Sequence, residues 1–229
     1  MKGREFPSAR VDLLKKPYTI FNMKCTSSTK SNAERILRRV AQQGRGWAFT
    51  PHDFADLGDP RGIGMVLTRL VRDGKIRRIS RGLYDSPHPH PVLGQTGATA
   101  DAVVDAVARG RHLRLLPSPQ VAANQLGLTT QVPAQMIYQT DGAPTKVLLG
   151  QRQIVFRRNT GRSLALAGRA SGLVAQALRD VGQGKVTPDN IQHLRQRLDA
   201  AAKKQLVADM LLVPAWMRPI FQQITRDDG

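Results

Sequence analysis

The chain has 229 residues, and its 35 lysines and arginines outnumber 17 acidic residues, which gives a formal net charge of +18 at pH 7. A field of this sign attracts polyanions and repels further copies of the chain, so nucleic acid is the leading class of partner. Hydrophobic residues make up 41% of the chain, which excludes a disordered basic tail and leaves room for one small and one medium folded domain.

The composition excludes several further classes of protein. The single cysteine, Cys25, can form neither an internal disulfide nor a multi-thiolate zinc site, and it fits a reducing compartment. No apolar stretch is long enough to span a membrane, and the N-terminal segment lacks the apolar run of a signal peptide. We therefore expect a cytoplasmic protein without a structural metal or a membrane anchor.

Residues 1–30 mix basic residues with prolines and lack the periodicity of a helix or a strand. This pattern predicts a loose basic arm. Met23 offers a second plausible start of translation, so the choice between Met1 and Met23 stays open.

Residues 31–86 predict three short helices followed by a β-hairpin. The apolar residues of each helical segment recur at a spacing of three and four, and from Lys75 to Tyr84 the period changes to that of two strands around the turn Ser80-Arg81-Gly82. This is the order of elements in a winged helix-turn-helix domain. The signals that begin and end the three helices are Ser31, Thr50-Pro51 and Asp59-Pro60, and Gly44, Gly58 and Gly74.

The rest of the chain predicts an α+β domain with a helical tail over residues 98–229, joined by a stiff, extended Pro/His linker over residues 87–97. Helices alternate with strands as far as Phe156. The later apolar segments predict helices over Leu164–Val181, Ile191–Ala202 and Leu206–Leu212. A final element around Trp216, Met217 and Phe221 is either a partner-binding tail or a plug of the core, and we favour the plug.

The third predicted helix carries the clearest functional pattern. At 100° per residue its basic and polar side chains fall within an arc of about 100°, and its apolar residues Ile63, Val66, Leu67, Leu70 and Val71 centre on the opposite side. A helix of this width fits the major groove of B-DNA, where arginine can bind guanine and threonine can contact a thymine methyl or a base edge. The residues of the arc are Arg61, Met65, Thr68, Arg69 and Arg72.

The hairpin continues the same positive charge. Seven basic residues and one acid, Asp73, lie between positions 61 and 81, a local charge of +6. We expect the hairpin to bind the DNA backbone or a neighbouring minor groove, with a strong dependence on salt. The predicted DNA-binding residues are Arg61, Thr68, Arg69, Arg72, Lys75, Arg77, Arg78 and Arg81.

Two questions of charge stay open. The basic face can instead be a solvated surface, and a winged helix can serve protein assembly alone. A second basic set in the C-terminal domain is a further nucleic-acid surface, a face for an acidic toxin, or a solvated sheet edge that discourages strand pairing. That set contains Arg109, Arg111, Arg114, Arg152, Arg157, Arg158 and Arg162.

Catalytic, cofactor and metal sites are not predicted. His88 and His90 have no further ligand nearby in sequence, and the pair Gly62-x-Gly64 lacks the third glycine and the preceding strand of a dinucleotide site. Ser163 and Ser171 lie in short Gly/Ser segments that fit helix starts better than a nucleophile elbow. We therefore expect a protein that is not an enzyme and needs no cofactor.

Taken in order, several short motifs over roughly residues 31–200 resemble the AbiEi-type antitoxins of type IV toxin–antitoxin systems, which act in abortive infection. The family's wing ends in a basic-Gly-apolar-Tyr pattern, which Arg81-Gly82-Leu83-Tyr84 matches. Residues 1–30 and those after about 205 lie outside the resemblance. The other motifs are Phe49-Thr50-Pro51, Leu67 to Gly74, Ser118-Pro119, Ala122, Asn124 to Leu128, Gln131-Val132-Pro133, Thr140-Asp141-Gly142, Ile154 to Arg157 and Gly172 to Leu178.

The resemblance implies a bacterial antitoxin that represses its own operon. Its winged helix would bind double-stranded DNA at inverted repeats in the promoter, with two copies on paired half-sites. Its C-terminal domain would counter a co-encoded, nucleotidyltransferase-like toxin. The alternative is a protein-interaction module that neutralises a toxin by direct binding, without sequence-specific DNA recognition.

Overall fold

The structure is a computed structural model that describes residues 31–90 and 94–226, and its architecture is mixed α+β. The predicted basic arm, with Cys25 and both candidate start methionines, lies outside the described residues. The chain forms a first unit of helices and a small sheet, a second unit around a four-stranded sheet, and a set of C-terminal helices.

The first unit begins as its capping signals predict. In α1 (Asn32–Gln43) the Ser31 hydroxyl accepts a hydrogen bond from the Glu34 N–H, and the Glu34 carboxylate accepts one from the Ser31 N–H. The second predicted helix is a 3-10 segment, Pro51–Leu57, with a kink at its centre. The third is α2 (Pro60–Arg72), which starts at the cap Asp59.

The predicted hairpin is confirmed as part of a three-stranded antiparallel sheet. Its strands are β1 (Ala48–Phe49), β2 (Arg77–Ser80) and β3 (Leu83–Asp85), in the order β1-β3-β2. Strand β2 starts at Arg77 because Lys75 and Ile76 still turn away from the end of α2, where both N–H groups bond to the carbonyl of Leu70. The sheet packs its aromatic residues against α1 and α2.

The segment after β3 is more compact than an extended linker. Strand β4 (His88–His90) pairs antiparallel with β5 (Gly94–Thr96), so the chain returns on itself between the two units. The Pro/His run does favour extended backbone, as expected, because proline is tolerated in short edge strands. Sequence patterning gave no sign of the pairing, because β5 is only three residues long.

The second unit is built on a four-stranded sheet in the order β6-β7-β9-β8. The central pair β7 and β9 is parallel, and the outer pairs are antiparallel. Helix α3 (Ala100–Arg111) contributes Val103, Val104 and Val107 to the core on one face of this sheet, and α4 (Pro119–Leu126) follows the first strand. The strands are β6 (Leu115–Pro117), β7 (Gln135–Thr140), β8 (Thr145–Leu149) and β9 (Arg152–Arg158).

The C-terminal helices are shorter than the sequence predicts. The segment Leu164–Val181 splits into a 3-10 turn and α5 (Ala170–Val181), because Gly168 takes φ +73° and its N–H bonds to the Leu115 carbonyl in β6. The segment Ile191–Ala202 splits because Asp199 caps a new helix and accepts a hydrogen bond from the Ala202 N–H. The remaining helices are α6 (Pro188–Arg197), α7 (Ala200–Ala208) and α8 (Arg218–Thr225), with a 3-10 turn at Met210–Leu212.

The final element plugs the C-terminal core. Met217 and Phe221 are fully buried and pack among the residues of α5, α6 and α7, whereas Trp216 is partly buried at the edge of the same cluster. The interpretation of this segment as a core plug is therefore confirmed.

The two units share a hydrophobic core. Ala48 and Leu83 of the small sheet lie in one buried cluster with the valines of α3 and with Ile154 and Phe156 of β9. The pattern of helices and strands therefore changes at residue 98, but the hydrophobic core is continuous across that boundary.

Arg109 of α3 joins the two units through polar contacts. Its Nε donates to Asp53 Oδ1 at 3.1 Å, its Nη2 donates to the Ala48 carbonyl at 2.9 Å, and its guanidinium lies 5.9 Å from the ring centroid of Trp47. This corrects the expectation for Arg109, because a side chain spent on these contacts belongs to the joint and not to an open basic surface.

Replacing Arg109 by alanine is expected to lower the free energy of unfolding by about 2–3 kcal/mol, because it leaves the Ala48 carbonyl and the largely buried Asp53 carboxylate without their cationic partner. Urea unfolding followed by circular dichroism would measure the change. The control is Arg152→Ala on the exposed end of β9, which should stay within about 0.5 kcal/mol of the parent chain. Equal stability of the two variants would contradict the role of Arg109.

Candidate nucleic-acid interface

Helix α2 has one buried and one exposed face. Ile63, Leu67 and Leu70 are buried against α1 and the 3-10 segment, and Val66 and Val71 are half-buried beside them. The carboxylate of Asp59 accepts hydrogen bonds from the N–H groups of the next helical residues at 2.9 and 3.0 Å and so holds the first turn. The predicted packing side of this helix is confirmed.

The opposite face of α2 is free of the rest of the described chain. Its residues all lie exposed, and the Arg72 side chain keeps 77% of its accessible surface. Positions 61, 65, 68 and 72 are spaced by whole helical turns, so they form one stripe about 16 Å long. The exposed residues are Arg61, Met65, Thr68, Arg69 and Arg72.

Thr68 uses its hydroxyl within the helix. Its Oγ1 donates to the Gly64 carbonyl at 2.8 Å, a common bond for threonine one turn along a helix. The hydroxyl proton is therefore committed, and Thr68 can offer a ligand its methyl group and an acceptor lone pair.

The hairpin adds three exposed basic side chains, Lys75, Arg78 and Arg81. Arg78 bonds within the hairpin, from its Nε to the Ser80 carbonyl at 3.3 Å. Arg81 occupies the turn and lines a cleft of about 260 Å³ together with Arg111 of α3. The turn thus lies beside the second unit.

Arg77 has a different role from the one predicted. Its Nε and Nη2 donate to the two oxygens of Asp85, at 3.0 and 2.6 Å, and the Asp85 side chain is fully buried. The hydrogen bond to Asp85 raises the pKa of Arg77. We had expected Arg77 to bind phosphate; the structure instead commits it to neutralising a buried carboxylate.

The backbone after β5 closes over this ion pair. The Ala98 N–H donates to Asp85 Oδ2 at 2.8 Å, and a Cβ added at Gly97 would lie 1.9 Å from Arg77 Nη2. Glycine is therefore needed at position 97 so that the backbone can approach the guanidinium. The pair ties the hairpin to the segment that leads into α3.

The α2 and hairpin region remains strongly positive after these contacts. Its seven basic side chains, set against Asp73 and Asp85, leave a formal charge of +5. The Arg72–Asp73 pair is 3.7 Å long and exposed, so it removes little of that charge. We define the cationic face as Thr68 together with the exposed basic side chains of this region that are not held by Asp85, which are Arg61, Arg69, Arg72, Lys75, Arg78 and Arg81.

The described members of the second basic set differ in their contacts. Arg111 donates to the Thr145 hydroxyl, and Arg114 pairs with Asp141 at 2.9 Å, a hydrogen bond that lowers the pKa of Asp141. Arg152, Arg157 and Arg158 are exposed along β9. The side chain of Arg162 lies outside the described residues, so its place in the set is not described.

The described chain offers little for metal chemistry. Over residues 31–90 and 94–226 no three metal-ligating side chains come together, and no helix has the length and apolarity to cross a membrane. His52 and His112, distant in sequence, meet edge to face with their ring centroids 4.6 Å apart. Ser171 lies in the first turn of α5, where its hydroxyl donates to the buried Asp209.

Comparison with known families shows a match over most of the chain. The family model described as "Family of unknown function (DUF6088)" covers residues 35–206, which include most of α1, all of α2, the hairpin and the three sheets of the described chain. No curated protein matches the chain.

Neighbouring arginines of β2 should behave differently on substitution. Arg77→Ala is expected to lower the free energy of unfolding by about 2–3 kcal/mol, because it strands the buried Asp85 carboxylate with one remaining hydrogen bond. Arg78→Ala should change it by less than about 0.5 kcal/mol. Thermal or urea unfolding of both variants would measure the difference, and equal losses would show that the Arg77–Asp85 pair does not support the hairpin.

Proposed function

We propose that this chain, which belongs to the DUF6088 family of unknown function, binds double-stranded DNA through α2 and the hairpin and regulates its own operon. The observation that carries the proposal is the cationic face, an exposed helix face whose positive charge continues into the adjoining hairpin. Charge of one sign on two adjoining elements attracts a polyanion. In the unbound protein the same charges repel one another and lower its stability.

The order of elements in the first unit supports a winged helix-turn-helix. Three helical segments precede the β2–β3 hairpin, and α2 stands third, in the place of the helix that enters the major groove. Two of these segments, the 3-10 helix and α2, are joined by the short connection at Gly58 and Asp59. The core of this unit lies on the side of α2 opposite the cationic face, so the described part of the chain leaves that face open to a duplex.

Each part of the face has a distinct role in this proposal. Arg61, Arg69 and Arg72 reach base edges, because the guanidinium fork matches the O6 and N7 acceptors of guanine. Lys75, Arg78 and Arg81 bind phosphates, which position the protein on the duplex without reading sequence. Arg77 contributes indirectly, because its pair with Asp85 sets the hairpin beside α2.

Arg81 and Arg111 extend the positive surface across the joint of the two units. Both line the same cleft, so a DNA backbone that leaves the hairpin turn meets a second arginine at the end of α3. Two copies on paired half-sites would then cover a promoter and exclude polymerase.

The antitoxin part of the proposal rests on the resemblance of the short motifs to AbiEi-type antitoxins. In this view the second unit counters a co-encoded, nucleotidyltransferase-like toxin as a separate activity. Co-expression of the chain with the neighbouring reading frame would test it. Rescue of growth by a variant that no longer binds DNA supports two separate activities, and loss of rescue in that variant supports direct neutralisation through the first unit.

The variant Arg69→Ala/Arg72→Ala is expected to lose at least about 30-fold in affinity for the DNA upstream of its own gene, because each bidentate arginine–guanine contact contributes about 1–3 kcal/mol. Gel shifts across a salt series would measure the loss, and log affinity should fall linearly with log salt at about 0.9 per neutralised phosphate.

The matched control is Lys204→Ala/Arg226→Ala, which removes the same charge from exposed positions on the C-terminal helices. If both double variants lose affinity equally, net charge alone drives binding and the assignment of α2 is wrong. If the parent chain shifts no DNA at low salt, the DNA-binding proposal fails.

A further inference from the structure

We infer that α2 recognises a thymine methyl group, and with it an A·T base pair, at the centre of its binding site through Met65. This inference rests on the proposed DNA-binding function and adds base preference to it. It starts from two residues of α2 that the fold itself does not explain.

Met65 is the first of these residues. Its side chain is 70% exposed in the middle of a face otherwise made of arginine and threonine. An apolar side chain left in water contributes no burial energy to the fold. Its unbranched, polarisable thioether chain adapts readily to an irregular contact surface.

Gly64 is the second. It lies inside the helix, and a Cβ built on it would meet no atom within 4 Å, so alanine fits there and would favour the helix. Gly62 is different, because a Cβ at that position would lie 2.7 Å from the capping carboxylate of Asp59. The N-terminal cap therefore explains Gly62, whereas packing explains nothing about Gly64.

The order of chemistry along the exposed stripe points to the ligand. Arg61 and Arg72 stand at its two ends, and Met65 and Thr68 stand between them over a total length of about 16 Å, or roughly five base pairs at 3.4 Å each. The Thr68 hydroxyl donates to the Gly64 carbonyl, so the centre of the stripe offers no free hydroxyl proton. The stripe through positions 61, 65, 68 and 72 is therefore cationic at its ends and largely apolar at its centre, with Arg69 at its side.

Only one group on the base edges of the major groove is apolar. Guanine, cytosine and adenine present nitrogen and oxygen donors or acceptors there, and thymine adds its C5 methyl group. An apolar centre between two arginines thus matches a thymine methyl flanked by guanines. The missing side chain at Gly64 lets the helix axis lie closer to the bases beside Met65.

The test is a cycle of protein and DNA changes that removes single methyl groups. Duplexes that the parent chain selects from a random 20-base-pair pool are resynthesised with each thymine replaced in turn by deoxyuracil, which lacks only the C5 methyl. At one or two central positions we expect the parent chain to lose about fourfold in affinity, the value of one buried methyl. Met65→Ala should bind the thymine duplex more weakly and be insensitive to the same replacement, and Met65→Leu should stay sensitive.

Gly64→Ala supplies the matched measurement on the protein. It should raise the midpoint of thermal unfolding by about 2–4 °C and yet weaken DNA binding, a combination that no loss of folding can produce. Unfolding midpoints of the two Met65 variants should match the parent chain, because Met65 packs against nothing that the fold needs.

Three results overturn the inference. They are an unchanged affinity with deoxyuracil at every position, a Met65→Ala variant as sensitive as the parent chain, and a Gly64→Ala variant that binds DNA as tightly as the parent chain. In each case the loss of binding in Arg69→Ala/Arg72→Ala still supports the proposed function, so the two failures are distinguishable. If the parent chain selects no duplex at all, both the proposed function and the inference fall.

Discussion

The buried carboxylate of Asp85 is the constraint on which the arrangement of the molecule depends. A charge without access to water must be paired, and the fold pairs it with Arg77 from the neighbouring strand and with the Ala98 N–H just before α3. Arg77 and Asp85 lie on the two strands of the hairpin, and Ala98 lies at the start of the second unit. One ionised group therefore fixes three pieces of chain relative to one another, and with them the position of the hairpin beside α2.

A second arginine repeats this principle on the other side of the joint. Arg109 reaches from α3 to Asp53 and to the backbone of β1. Composition alone suggests that Arg77 and Arg109 carry surface charge, but each forms an ion pair with an internal carboxylate. The basic side chains of α2 and the hairpin other than Arg77 stay outside such pairs and exposed, so the structure separates a structural set of arginines from an exposed one.

Local signals predicted the first unit well. The caps at Ser31 and Asp59 and the apolar spacing of α2 placed those helices to within a residue or two, because both signals act over a single turn. Arg77 and Arg78 show the limit: they are identical in type and adjacent, and alternation along β2 puts them on opposite faces. The face of β2 that pairs with a buried carboxylate is set by Asp85 on the neighbouring strand. The arginine of α3 that bonds to Asp53 is set by a contact 56 positions away in sequence. The breaks in the C-terminal helices were missed because Gly168 and Asp199 are compatible with a helix until tertiary contacts use them as turn and cap.

The three-stranded and four-stranded sheets meet along their edge strands. Strand β2 is the last strand of the small sheet and β8 is the last of the large one, and the structure packs one against the other. An outermost strand carries backbone groups that invite pairing with a foreign chain. In this fold each sheet covers the edge strand of the other. If the hairpin moved away from the second unit, both edge strands would become exposed together. Loosening the joint would therefore favour aggregation as well as change the shape of the molecule.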